Sequence, residues 1–141
     1  MNTEANKRLV RAFYEDVVST GDLDRVPEFV GPGCVETDGL TRVESGVEGM
    51  ADHVRGVRDV YSDLRITVDR QIAEGEWVAS VITARGTHEG EWLGMKPTGV
   101  AMVFTGVNID RVVDGKIIEH GGAANMLIPF LETGAIRVVS K

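Results

Sequence analysis

Residues 100–125 read VAMVFTGVNIDRVVDGKIIEHGGAAN, and how this stretch folds on itself decides the rest. The apolar runs flanking Asp114-Gly115 predict two long β-strands joined by a tight turn, because Gly accepts φ > 0 without steric cost. Two registers are open. A two-residue turn pairs Val113 with Lys116 and sets Asn108 opposite Gly121. A three-residue loop, with Gly115 as a left-handed bulge residue, pairs Val112 with Lys116 and Asn108 with His120. A one-residue slip moves every side chain to the other face. The bulged register is preferred. It gathers Met102, Phe104, Asn108, Ile118 and His120 on one surface, apolar with two neutral polar groups, as in a ligand pocket. The plainer alternative is a half-buried sheet face with one satisfied histidine.

Upstream of this hairpin the hydrophobic period is two. Leu64, Ile66, Val68 and Ile72 form one strand, Glu74-Gly75-Glu76 a turn, and residues 77–88 a returning strand that is apolar on both faces and therefore central. Arg85 and Thr87 fall on one face of it, and His88 on the other. The loop EGEWLGMKPTG (89–99) carries Trp92, Leu93 and Met95, too apolar to leave in water, so it folds over an open end. Further upstream the period is helical. Leu9, Val10, Phe13 and Val17 predict a helix over 3–19, with Tyr14 able to bring its ring to the core and its hydroxyl to a partner. A short helix follows at 24–30, with Pro27 in its first turn. Ser45 and Glu48 match a capping box opening a helix over 47–61, whose stripe is Met50, Val54, Val57 and Tyr61, with His53 beside it.

Between these helices, residues 34–38 (CVETD) read as a short strand on which Glu36 and Asp38 point the same way. Two such carboxylates are either a solvated edge or a poised acid–base pair, since like charges raise one pKa. After Asn125, MLIPFLETG predicts a packed turn of helix and AIRVVSK a final extended piece. Helices first and strands later argue one α+β domain over 1–141: a cone-shaped, curved, mostly antiparallel sheet against three helices from the N-terminal half. The mouth of such a cone is a natural small-molecule site.

Composition excludes several classes. At 141 residues and 43% hydrophobic, the chain can bury one sizeable core. A net charge of −7 argues against a nucleic-acid surface. No apolar run approaches a membrane span, and the polar opening MNTEANKRLV shows no signal peptide, so a cytoplasmic protein is expected. The single Cys34 reads as a small buried residue rather than a nucleophile. His53, His88 and His120 lack metal-ligand spacing, so no metal is expected.

The run THEGEWLGMKPT (87–98), followed by VNIDRVVDGKIIEH (107–120), resembles the SnoaL-like polyketide cyclases of the nuclear transport factor 2-like superfamily, which also holds ketosteroid isomerase. GDLD at 21–24 and SGVEG at 45–49 fit the same family. The resemblance implies the curved-sheet cone, no cofactor, a hydrophobic carbonyl-bearing substrate, and pairing of open sheet faces into a homodimer or higher oligomer. It also implies an Asp general acid/base where this chain has Gly122, a second Asp where it has Asn125, a bulky residue where it has Gly121 and an assisting His where it has Asn108. The two glycines are expected to open space in the cup. Ketosteroid isomerase carries its base on the strand that holds Glu36. The base is therefore expected to have moved across the cone to Glu36 or Asp38, with Asn108 and His120 stabilising an oxyanion. Tyr14, His88, Trp92, Met95, Met102, Phe104, Gly122 and Asn125 are expected to line the substrate site. Epoxide opening, dehydration and ligand binding without turnover remain alternatives.

Overall fold

The computed structural model describes residues 2–140; Met1 and the Lys141 that ends the expected extended piece lie outside them. The opening helix is α1 (Thr3–Ala12), continued by a π-helical turn, Phe13–Val18. Asn2 caps it, its side chain accepting from Ala5 N–H. Phe13 and Tyr14, adjacent in sequence, both reach the core from this π turn. A 3₁₀ turn (Leu23–Arg25) and α2 (Val26–Phe29) lead into β1 (Val30–Asp38), β2 (Thr41–Glu44) and α3 (Gly46–Val60). The antiparallel strands β3 (Arg65–Glu74), β4 (Trp77–Thr87), β5 (Ala101–Val113) and β6 (Lys116–Asn125) follow, then α4 (Leu127–Thr133).

The six strands form one curved sheet in the order β2-β1-β6-β5-β4-β3. The architecture is the α+β one expected, with the packed helical turn after Asn125 realised as α4 and one addition, β2. Every pairing is antiparallel except β1 with β6, which makes the sheet mixed. Even-numbered residues of β5 face the helices. Met102, Asp110 and Val112 are buried there, while Val103, Val107 and Ile109 on the outer face are exposed. The core between sheet and helices is filled by Val10, Phe13, Val17, Met50, Val54, Leu64, Val78 and Ile117.

Neither expected hairpin register describes the whole of β5–β6. Asp114 and Gly115 both have positive φ, 50° and 74°, which makes the two-residue turn that matches strand twist, and Val113 pairs with Lys116. A shift between Arg111 and Val112 then sets Asp110 opposite His120 and Asn108 opposite Gly122. The extra residue, Ile118, takes up the slip, so Ile117 rather than Ile118 is fully buried. The capping box is not realised either: Ser45 occupies the N-cap of α3 but makes no side-chain cap bond, and its Oγ is buried without a partner. Residues 134–140 form no strand, and Val138 and Val139 are exposed. Leu93, expected to be sheltered, is 80% exposed, while Trp92 leans on Phe130 with ring centroids 5.7 Å apart.

Candidate active site

One rung of the sheet carries the chemistry. Val78, Asp110, His120 and Glu36 are successive register partners across β4, β5, β6 and β1. Side chains at opposed positions share a face, so Asp110, His120 and Glu36 stand in a row on the helix side. Glu36 is thus not across the cone from β6, as the resemblance led one to expect, but on the strand hydrogen-bonded to it. Two helices descend onto the row. The π turn contributes Tyr14, whose hydroxyl donates to Asp110 Oδ2 at 2.5 Å and lies 3.3 Å from His120 Nδ1. α3 contributes His53, whose Nδ1 is 2.5 Å from Glu36 Oε1.

Asp110 is completely buried and Tyr14 is 2% exposed. Asp110 Oδ1 accepts from His120 Nδ1 at 2.7 Å, so both carboxylate oxygens have a donor, as a buried charge requires. Burial pushes the Tyr14 hydroxyl well above its ordinary pKa, and the charge and hydrogen bond of Asp110 add to it while Asn108 opposes them; Tyr14 is a permanent donor. For His120, burial alone would lower the pKa, but the charge and hydrogen bond of Asp110, with the charge of Glu36, outweigh it and the net direction is up. With Nδ1 engaged by Asp110, Nε2 is the nitrogen left without a protein partner among the described residues. Exposure rises along the row. The His120 side chain is 12% exposed, Glu36 20% and His53 48%, so the cluster runs from the core to the rim. The rings of His53 and His120 lie with centroids 5.7 Å apart.

The other expected site residues divide between four places. Met102, Phe104 and His88 join an apolar cluster around Tyr61. The Phe104 ring is 5.6 Å from the Tyr61 ring, the His88 ring 6.0 Å, and Tyr61 Oη is 3.9 Å from Met102 Sδ. Phe130 covers His88 and carries Trp92, and Met95 packs on the same core. His88 is wholly buried; Thr98 Oγ1 is 3.4 Å from its Nδ1, while its Nε2 has no hydrogen-bond partner. Asn108 stands one rung from Asp110, opposite Gly122. Asp38 is exposed at the tip of the β1–β2 hairpin, off the row. Asn125, opposite Thr105, is on the outer face, beside an open depression of about 390 Å³ shared with Val81, Val107 and Ala123. Arg85 lies on the same outer face beside a second depression of about 350 Å³.

The expected opening at the two glycines is closed. A Cβ on Gly122 would meet Asn108 Oδ1 at 2.4 Å and the Val107 carbonyl at 2.6 Å, and one on Gly121 would meet Thr37 Oγ1 at 2.0 Å. The glycines let neighbouring groups close in rather than leaving room. Cys34 is buried, and burial, with the charges of Glu36, Asp110 and Glu119, pushes its thiol up to about 12, which leaves no thiolate for chemistry. Among the described residues no group of three or more His, Cys, Asp or Glu is placed to hold a metal ion, and no helix is long and apolar enough to cross a membrane.

Sequence reasoning missed Asp110 and undervalued His53. Asp110 has the same strand parity as Met102, Phe104 and Asn108, which could have flagged it as a charge aimed inward. His53 needed the contact between α3 and β1, which no local pattern carries.

The SnoaL-like polyketide cyclase model matches residues 8–130. The chain belongs to this family. Nogalonic acid methyl ester cyclase of Streptomyces nogalater is 32% identical over 104 residues, covering 72% of this chain and 78% of that protein. Aklanonic acid methyl ester cyclase AcmA of Streptomyces galilaeus is 32% identical over 122 residues, covering 82% of this chain and 78% of its own. Among solved structures, AclR of Streptomyces galilaeus, a candidate hydroxylase, superposes with a TM-score of 0.83 at 28% identity, over 99% of this chain and 87% of that one. The SnoaL-like fold therefore holds along the length of the chain.

Proposed function

We propose that this SnoaL-like protein is a cytoplasmic, cofactor-independent cyclase that closes a ring in a hydrophobic, carbonyl-bearing polyketide methyl ester by intramolecular aldol addition. The supporting observation is the single rung on which two carboxylate–imidazole pairs, Glu36–His53 and Asp110–His120, stand side by side. Such a set contains an acceptor and a donor, which is what carbon-acid chemistry requires. The Glu36–His53 pair takes a proton from the carbon next to a carbonyl. The enolate oxygen is met by the Nε2–H of His120. The enolate carbon then attacks a second carbonyl carbon, forming the C–C bond and driving the π electrons onto oxygen. His120 protonates that alkoxide, and the proton held by the Glu36–His53 pair replaces the one His120 gave up. The closure is redox-neutral and no net proton is consumed, so a base and a proton donor suffice for it.

The exposed Val103, Val107 and Ile109 of the outer sheet face support the accompanying proposal that two copies pair through that face.

Incubation with aklanonic or nogalonic acid methyl ester in D2O tests the reading. The expected result is an isomeric ring-closed product, resolved chromatographically, together with deuterium at the activated carbon of the unclosed ester recovered from the reaction, the mark of reversible proton abstraction before the C–C bond forms. Binding of the ester without exchange or closure would reject catalysis and leave a binding protein.

A further inference from the structure

We infer that the group receiving the substrate proton is Nε2 of His53, and that Glu36 is a positioning residue acting through it. This rests on the cyclase reading above and sharpens it. Glu36 is already committed through one oxygen and less open than its partner, its side chain 20% exposed against 48% for His53. Oε1 is occupied by His53 Nδ1 at 2.5 Å. Oε2 lies beside α3, 3.9 Å from where a Cβ on Gly49 would stand, and makes no hydrogen bond among the described residues. His53 is in the opposite situation. Its Nδ1–H is anchored on the carboxylate, which selects the tautomer with its lone pair on Nε2. That nitrogen has no protein partner among the described residues, and the side chain is half exposed, so it is open to an incoming molecule.

This is the logic of a base oriented by an acid: a carboxylate fixes the ring so that the far nitrogen can accept. The same device appears again in Asp110 and His120, in a different environment. His120 is buried and favoured in its charged form by Asp110 and Glu36, which suits it to donate. His53 sits in the open with one carboxylate. Two like groups held in unlike surroundings divide into acid and base, and the 5.7 Å between ring centroids lets them address neighbouring atoms of one substrate. The titratable and charged groups near His53 are Glu36 on β1 and His120 on β6, with Asp110 and Tyr14 behind His120; on its own helix Asp52 is paired with Arg55. In the step itself the C–H bond breaks, its proton joins the Nε2 lone pair, and its electrons become the enolate whose oxygen is met by His120 Nε2–H.

The test compares wild type, His53→Gln, His53→Ala and Glu36→Gln on aklanonic acid methyl ester, with circular dichroism as the check on folding. His53→Gln is expected to lose about 10²–10⁴-fold in kcat, the range of a general base, with little change in KM. His53→Ala is expected to regain turnover with added imidazole, a rescue that a merely structural role would not show. Glu36→Gln is expected to lose less than His53→Gln and to keep the acidic limb of the pH–rate profile. A folded His53→Gln within threefold of wild type, or a His53→Ala that imidazole does not rescue, would overturn the assignment, with wild-type turnover leaving the cyclase reading intact. Absence of wild-type turnover and of wild-type deuterium exchange would overturn that reading and this inference together.

Discussion

At the scale of single residues, the decisive group is one that carries no reactivity of its own. Asp110 is buried with both oxygens engaged, and through them it sets the state of Tyr14 and His120. Asp110→Asn should reverse the sign of the His120 shift, because the burial that remains disfavours imidazolium. An NMR titration should find the ring above the ordinary value of about 6.5 in wild type and below it in the variant. The linked effect on stability has a definite direction. The folded pKa of His120 is raised, so the folded chain binds the extra proton more tightly than the unfolded chain does. The stabilisation is fully present below about pH 6.5 and is lost as pH rises through the folded value. Urea midpoints of wild type and His120→Asn should therefore differ more at pH 5.5 than at pH 9. Tyr14→Phe removes the donor from Asp110 Oδ2 and should cost about 1–3 kcal/mol in the same assay, the usual cost of a buried acceptor left unpaired. His120, Tyr14 and Glu36 were legible as candidates because each lies on a recognisable periodic face. Their partnership was not legible, since it depends on strand neighbours that only the assembled sheet defines.

At the scale of elements, the β5–β6 hairpin shows why a turn does not fix a register. Asp114-Gly115 dictates the local two-residue turn, and the pairing a few residues away is reset at Ile118. A bulge of this kind leaves no strong mark in composition, because Ile117 and Ile118 are both good strand residues. The glycines after His120 carry a similar lesson. Their absent side chains suggested vacant space, but the Val107 carbonyl, Asn108 and Thr37 have moved into it. Gly122→Asp, which supplies the carboxylate implied there by the family resemblance, should consequently destabilise by about 1–3 kcal/mol through overpacking and should not raise turnover. Thermal unfolding and the cyclisation assay check the two halves of that statement. The helices were read with their boundaries nearly right, because their stripes are long and regular. The π turn escaped detection, since one extra residue per turn is invisible over so short a span.

At the scale of the molecule, the two faces of the sheet have separate duties. The inner face holds the core and the row from Asp110 to Glu36, while the outer face exposes Val103, Val107, Ile109 and Trp77. Val107→Glu should convert a dimer to a monomer in light-scattering chromatography while leaving the monomer's fold unchanged; a wild type that is already monomeric would reject pairing through this face. The α+β class and the helix-then-strand order were readable because they follow from a change of hydrophobic period along the chain. The mixed character of the sheet was hidden, because a parallel neighbour far away in sequence has no turn to announce it.

That parallel seam between β1 and β6 has a kinetic corollary. Thr37 Oγ1 donates to the His120 carbonyl at 3.4 Å across 83 positions of chain, whereas the meander from β3 to β6 assembles through local hairpins. Closing so long a loop carries an entropic cost that nearby contacts do not. During refolding, a fluorescence probe on Trp77 should thus register order in the meander before Glu36 comes to lie beside His120, and activity should be the last signal to return.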